Sequence, residues 1–136
     1  MNLKLIVLFF VIAVLFSCNS NKQSNTPGWF LEQENAAWQP RDSQGEVAFN
    51  GYMWIFGGWH SSYEAPPRDV WRSKDGRAWE LVANDAPWIH SDLPMSIVFK
   101  RKMWMMGGWH NGRLEGYSAS NMVWSSRNGK DWNLIT

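Results

Sequence analysis

Two stretches of the chain, MWIFGGWH at residues 53–60 and MWMMGGWH at residues 103–110, are close copies of one another. They begin 50 residues apart (103 − 53 = 50). Each combines aromatic and apolar residues typical of a β-strand with a double glycine that ends the strand. A sequence of this length that occurs twice indicates an internal repeat. The repeat predicts the fold before any single motif is interpreted.

Other residues also recur 50 positions apart. Beyond the repeated sequence, the spacing becomes 53 (123 − 70 = 53). A third, partial copy precedes both, because WFLEQENAAW at 29–38 aligns with WELVANDAPW at 79–88. All 11 tryptophans fall on repeat positions, so the high tryptophan content is a repeated structural feature. The matching pairs are Trp38 and Trp88, Asp42 and Asp92, Phe49 and Phe99, Trp71 and Trp124, Trp79 and Trp132.

The N-terminus has the layout of a secretory signal at residues 1–17. A short positive start precedes an apolar run at 5–16, which is shorter than the roughly 20 residues that span a bilayer. The sequence LFSC at 15–18 resembles a bacterial lipobox, so we predict cleavage before Cys18, its lipidation, and anchoring in the cell envelope, with the outer membrane favoured over the inner. Ordinary secretion is the alternative. Cys18 is the only cysteine, so no disulfide can form within the chain.

A polar stretch at 18–28 follows and is typical of a flexible tether. The formal net charge of +1 gives no long-range field that would favour a nucleic acid. One basic cluster, Lys100-Arg101-Lys102, stands where the first copy has Asn50-Gly51-Tyr52. We interpret it as a solvated hairpin turn, with contact to an anion as the alternative.

Short apolar runs separated by Gly, Asn, Asp and Pro predict an all-β protein. Each copy contains four such runs in about 50 residues, which is typical of a β-propeller blade. The combination of a Gly-Gly after the second strand, the sequence DVW at 69–71 and a Trp opening the fourth strand resembles the kelch-repeat family. That resemblance covers residues 29–136 and implies a propeller.

Two turns, SKDGRAW at 73–79 and SRNGKDW at 126–132, resemble the Asp-box of sialidase-type propellers. The spacing is one residue shorter than the common form, and Asn128 replaces the aspartate in the second turn. The Asp-Gly and Asn-Gly pairs favour tight turns, and the serine hydroxyl can cap them. We predict a structural role for Ser73, Asp75, Gly76, Trp79, Ser126, Asn128, Gly129 and Trp132.

The loops that follow the double glycines, at 59–69 and 109–121, carry aromatic and polar residues suited to ligand binding. The alternatives are hydrogen-bonded loop histidines and tryptophans that fill space between blades. A metal role is also conceivable, but zinc needs three or four converging ligands, so no metal or other cofactor is predicted. The ligand-binding candidates are Trp59, His60, Tyr63, Trp109, His110 and Arg113.

No catalytic residue is predicted, because the chain contains none of the nucleophile, phosphate-loop or metalloprotease motifs. Two function classes remain open. The first is an envelope-anchored binding module that holds a glycan or a protein. The second is a portion of a carbohydrate-active propeller enzyme, sialidase-like or sialic-acid-epimerase-like, whose catalytic residues lie mostly outside this chain.

The predicted organisation is a fourth strand at 29–37 without its first three, then one blade at 38–87 and a second at 88–136. Propellers have about four or more blades, so two blades predict an incomplete propeller. An assembly of copies with two blades each is the alternative, but the additional strand would remain unpaired in every copy. A truncated reading frame is therefore the favoured interpretation, with poorly cooperative unfolding and dye binding to exposed apolar faces as its expected signs.

Overall fold

The computed structural model describes residues 28–110 and 118–136. The chain divides into two compact units, Met1–Phe30 and Leu31–Thr136. Of the first unit, the structure describes residues 28–30, with a turn at Gly28. The predicted signal at 1–17, the lipidation residue Cys18 and the rest of the tether lie outside the described residues, as does the ligand-binding candidate Arg113.

The second unit contains two antiparallel four-stranded sheets, each an up-and-down meander of consecutive strands. Within the described ranges, no helix has the length and apolar character needed to cross a membrane. The all-β prediction is confirmed, and the two blade-like sheets are consistent with an incomplete propeller. The first sheet contains β1 (Gly45–Phe49), β2 (Tyr52–Phe56), β3 (Val70–Ser73) and β4 (Trp79–Ala83), and the second contains β5 (Met95–Phe99), β6 (Lys102–Met106), β7 (Val123–Ser126) and β8 (Trp132–Leu134).

Two-residue turns connect the first two strands of each sheet. Phe49 pairs with Tyr52 across one turn, and Phe99 pairs with Lys102 across the other. The two residues between them have positive φ in both cases: 50° and 75° at Asn50-Gly51, and 48° and 58° at Lys100-Arg101. These are the dihedrals of a type I′ turn, whose twist matches that of the flanking strands. The basic cluster therefore forms a hairpin turn, as the alignment with Asn50-Gly51 predicts.

The additional strand predicted at 29–37 is not formed. Bends occupy this segment, and in the described part of the chain the first strand begins at Gly45. A strand needs a neighbour to take up its backbone hydrogen bonds, and none of the described strands pairs its backbone with this segment. The resemblance of 29–38 to 79–88 therefore does not extend to a strand. What it preserves is Trp38, whose ring meets that of Trp79 edge-on.

The main core lies between the two sheets and is formed by one face of each. We call front face the side of the first sheet that carries Phe49, Trp54 and Phe56, and back face the side of the second sheet that carries Met103 and Met105. All five side chains are buried in one cluster, together with Trp88 and Trp132. Phe56 meets the ring of Trp132 at 5.4 Å and that of Trp88 at 6.0 Å. Burial of large aromatic side chains between the sheets contributes about 1.5–3 kcal/mol each, which makes this interface the main source of stability.

Candidate functional site

The described ligand-binding candidates lie at one end of the strands, and the candidate turn residues lie at the other. Because consecutive strands are antiparallel, the connections β2–β3, β4–β5 and β6–β7 emerge at the same end. We call this end the loop edge; it carries the stretches 57–69, 84–94 and the described part of 107–122. The opposite end, the turn edge, carries the tight turns at 50–51, 74–78, 100–101 and 127–131.

The double glycine of each repeated sequence precedes a backbone pairing that fixes the start of a loop. Gly57 and Gly58 have φ values of 64° and 96°, and beyond them Trp59 exchanges two backbone hydrogen bonds with Asp42, both 2.9 Å long. A Cβ on Gly58 would lie within 3.0 Å of the Asp42 carbonyl oxygen, so glycine is required there for the close approach as well as for the dihedral. The two glycines of the repeated sequence therefore have a structural function.

The second copy has the same backbone pairing. Gly108 has φ 98°, and Trp109 exchanges backbone hydrogen bonds of 2.8 and 3.2 Å with Asp92. A Cβ on Gly108 would collide with the His90 carbonyl oxygen. In addition, Trp109 forms a bridge to Ala119 on the returning side of its own loop. Both loops therefore start from a fixed backbone.

The first loop brings Trp59, His60 and Tyr63 into one cluster. The Tyr63 ring meets the Trp59 indole edge-on at 6.2 Å and the His60 ring at 5.7 Å. The Tyr63 hydroxyl donates to the Pro40 carbonyl at 2.9 Å, which fixes the ring from its far end. Trp59 and Tyr63 are half-buried, whereas His60 is exposed. The cluster thus presents an aromatic surface with a polar ring beside it.

The protonation pattern of His60 follows from its neighbour Ser62. The Ser62 backbone N–H donates to His60 Nδ1 at 3.2 Å, and the Ser62 hydroxyl lies 2.7 Å from the same atom. Since Nδ1 accepts, the neutral ring carries its proton on Nε2. Nε2 is therefore the hydrogen-bond donor of this ring.

The base of the first loop contains an ion pair with a buried arginine that the repeat pattern does not predict. The Arg41 side chain is only 2% exposed and forms a two-bond pair with Asp69 at 2.5 and 2.8 Å. Arg41 also donates to the Gly57 carbonyl at 3.0 Å, and the Trp71 indole N–H donates to Asp69 at 2.7 Å. The pair therefore ties the start and the end of the loop together.

Burial raises the pKa of the nearby Tyr63 hydroxyl; the charge of Arg41 opposes this shift and that of Asp69 adds to it. The phenol therefore remains a hydrogen-bond donor through neutral pH, which suits its bond to Pro40. Alignment of the two copies does not predict the Arg41–Asp69 ion pair, because the second copy has Ser91 and Met122 at the corresponding positions.

The second loop arranges its histidine differently. His110 Nδ1 lies 3.1 Å from the Ile89 carbonyl oxygen, which can only accept, so this ring carries its proton on Nδ1. The equivalent histidines of the two loops thus have opposite tautomers. The His110 ring lies 5.9 Å from that of His90, a residue that has no counterpart in the first copy, where Pro40 stands. Burial, and then the charge of His110, lowers the pKa of His90.

His90 and Ser118 form a pair that resembles a base and a nucleophile. His90 Nε2 lies 2.9 Å from the Ser118 hydroxyl. In a catalytic pair, a third group holds the other ring nitrogen and orients the base. Here His90 Nδ1 is buried without a hydrogen-bond partner among the described residues. Among the described residues, the third group of such an arrangement is therefore not found at His90.

On the turn edge, the two Asp-box-like turns have the same hydrogen-bond network. The Ser73 hydroxyl accepts the N–H groups of Asp75 and Gly76 at 3.3 and 2.9 Å. Asp75 accepts two further backbone N–H groups, those of Arg77 and Ala78, and these bonds lower the pKa of its carboxyl group. The Trp79 indole N–H donates to the Gly76 carbonyl at 3.0 Å and closes the turn.

The second turn repeats the network with an amide in place of the carboxylate. Ser126 accepts from the N–H groups of Asn128 and Gly129, and Asn128 Oδ1 accepts from those of Lys130 and Asp131. The Trp132 indole donates to the Gly129 carbonyl at 2.9 Å. An amide oxygen accepts the same bonds as a carboxylate oxygen, which explains why asparagine serves at this position.

In the described ranges, no group of three or more His, Cys, Asp or Glu side chains is arranged to hold a metal ion. Comparisons of the sequence with protein-family models and with curated proteins found no match. The geometry of the loop edge is therefore the basis for a functional proposal.

Proposed function

We propose that this chain is a lipid-anchored, kelch-like binding module of the bacterial envelope that holds a carbohydrate at its loop edge. The observation that carries the proposal is the cluster of Trp59, His60 and Tyr63, supported from below by the buried Arg41–Asp69 pair. Aromatic rings provide a surface for the apolar face of a sugar, and a neighbouring polar ring can bond to its hydroxyl groups. A fixed loop base reduces the entropy lost on binding.

A glycan array probed with the full chain tests this proposal. For a glycan that binds, Trp59→Ala should weaken the affinity about 5- to 150-fold, which corresponds to about 1–3 kcal/mol of lost stacking and burial. Trp109→Ala tests the second loop in the same way. Trp29→Ala, which removes an exposed indole outside the loops, is the matched control and should leave the affinity unchanged.

Circular dichroism of each variant separates binding from folding. If Trp59→Ala and Trp109→Ala both unfold the chain, the indoles belong to the core and the loop-edge site is refuted. If they fold normally and bind every positive glycan as wild type does, the loop edge is not the binding surface.

The membrane anchor needs a separate experiment, because Cys18 lies outside the described residues. Radiolabelled palmitate should be incorporated into the wild-type chain and not into Cys18→Ser, and globomycin should cause the precursor to accumulate. A wild-type chain that stays unlabelled and freely soluble would show that the lipobox interpretation is wrong.

A further inference from the structure

The contact between the two sheets within one chain provides a template for a contact between chains. In that contact, the front face of the first sheet covers the back face of the second. Trp54 at its centre is only 3% exposed and packs against the backbone of Gly129, where a Cβ would lie within 3.0 Å of the indole ring. The template is therefore an aromatic front face, a methionine-rich back face and a turn glycine that receives a tryptophan.

The front face of the second sheet is built from the same residue types but is open. By register, Met95, Ile97 and Phe99 share this face with Trp104, since Ile97 pairs with Trp104 and Met95 with Met106. Phe99 is 55% exposed, whereas its equivalent Phe49 is 7% exposed. Exposed apolar side chains adjoining on one sheet face are typical of a protein interface.

The back face of the first sheet is the complementary surface, open at Met53 and Leu81 and closed at the buried Ile55. Met53 is 41% exposed there, whereas its equivalent Met103 is fully buried at 0%. Trp38 meets Trp79 at an interplanar angle of 86°, and Trp88 meets Trp132 at the same angle of 86° inside the chain's own interface. The first sheet therefore has the aromatic pair that the second sheet uses to receive a front face.

We propose that the open front face of the second sheet docks on the open back face of the first sheet in another copy of this chain. Such a head-to-tail contact uses two different surfaces, and it gives a closed ring when the rotation between neighbouring copies divides a full turn. Propellers have about four to eight blades, so rings of about two to four copies with two sheets each are expected. The unpaired strand at 29–37 that argued against this assembly is not formed.

Gly76 offers a position at which the docking can be blocked without disturbing the single chain. It is the equivalent of Gly129, and in the assembly it would receive Trp104 as Gly129 receives Trp54. Within one chain, a Cβ on Gly76 would meet only the end of the Met53 side chain, at 3.4 Å. Its φ of 78° disfavours most residues, but asparagine tolerates this region.

Sedimentation equilibrium of the full chain in a density-matched detergent tests the proposal. The wild type should form one discrete species of two, three or four copies. Gly76→Asn should raise the dissociation constant at least about tenfold, because the added side chain occupies the place of Trp104. Gly51→Asn is the matched control: its φ is 75°, a Cβ there meets nothing within 4 Å, and the assembly should persist.

Phe99→Glu provides a second test, since it places a charge on the open front face while the single chain leaves that position half exposed. It should also shift the assembly to monomers, with an unchanged circular dichroism spectrum. A monomeric wild type at micromolar concentration, or heterogeneous aggregation, would overturn the proposal and favour a truncated propeller. Discrete oligomers that resist both Gly76→Asn and Phe99→Glu would also overturn it, because a different surface would then be responsible.

Discussion

The hairpin turn at Lys100-Arg101 should limit the stability of the second sheet. Both residues have positive φ, 48° and 58°, whereas the first sheet places Asn50 and Gly51 in the same turn. A side chain other than glycine or asparagine in the left-handed region costs roughly 1–2 kcal/mol per residue. Arg101→Gly removes one such cost and leaves the turn type and the strand register unchanged.

The expected gain is smaller than the strain that is relieved. Glycine also makes the unfolded chain more flexible, which costs about 0.5–1 kcal/mol. The difference is a net stabilisation of about 0.5–1 kcal/mol. For a domain of roughly 100 residues, each kcal/mol corresponds to a rise in Tm of about 4–8 °C, so an increase of about 2–8 °C is expected.

The assay is thermal unfolding followed by tryptophan fluorescence, with all variants at one protein concentration. Gly51→Arg is the reciprocal control and should lose about 0.5–1 kcal/mol, because the first turn then acquires the strain of the second. The reasoning is refuted if Arg101→Gly lowers the midpoint, or if Gly51→Arg has no effect. Either result would mean that the positive φ values carry no cost in these turns.

Two further predictions concern the loop edge. Arg41→Ala should lower the free energy of unfolding by about 3–5 kcal/mol in urea denaturation, because it leaves the Asp69 carboxylate and the Gly57 carbonyl without their buried cation; an unchanged midpoint would show that the pair contributes nothing. For His90, the pKa is lowered in the folded chain, so the unfolded chain binds a proton more readily. Its contribution to stability is therefore complete above pH about 6.5 and decreases as the pH falls through the folded pKa. Thermal melts between pH 8 and 5 should show a steeper loss for wild type than for His90→Gln, and parallel curves would contradict the assignment.

The strands were predictable from sequence because both copies follow one pattern, and β2 and β6 end immediately before the double glycines. All four glycines have positive φ, and three of them, Gly57, Gly58 and Gly108, approach a neighbouring carbonyl closely; hydrophobic periodicity reveals neither property. The resemblance of 29–38 to 79–88 led to the prediction of a strand that is not formed. There the matching residues preserve the contact between Trp38 and Trp79, while the segment has no backbone pairing with a described strand.

The candidate site was predictable only in part, for a related reason. Trp59, His60 and Tyr63 are close in sequence, and the structure brings them together. The Arg41–Asp69 pair and the contact between His90 and His110 join residues that are distant in sequence and differ between the copies. Alignment of the two copies identifies only the features that both copies share. It does not reveal the contacts that fix one loop and are missing from the other.

The Arg41 side chain, which bonds to both Gly57 and Asp69, separates the length of the first loop from the geometry of its sheet. Since the two ends of the loop are joined there, added residues affect the sheet only through the entropy of closing the loop. Each doubling of loop length costs about 0.6 kcal/mol for a flexible loop. Insertions after Ser61 or Ser62 should therefore be tolerated, so the first loop could display a foreign peptide while the sheet beneath keeps its register.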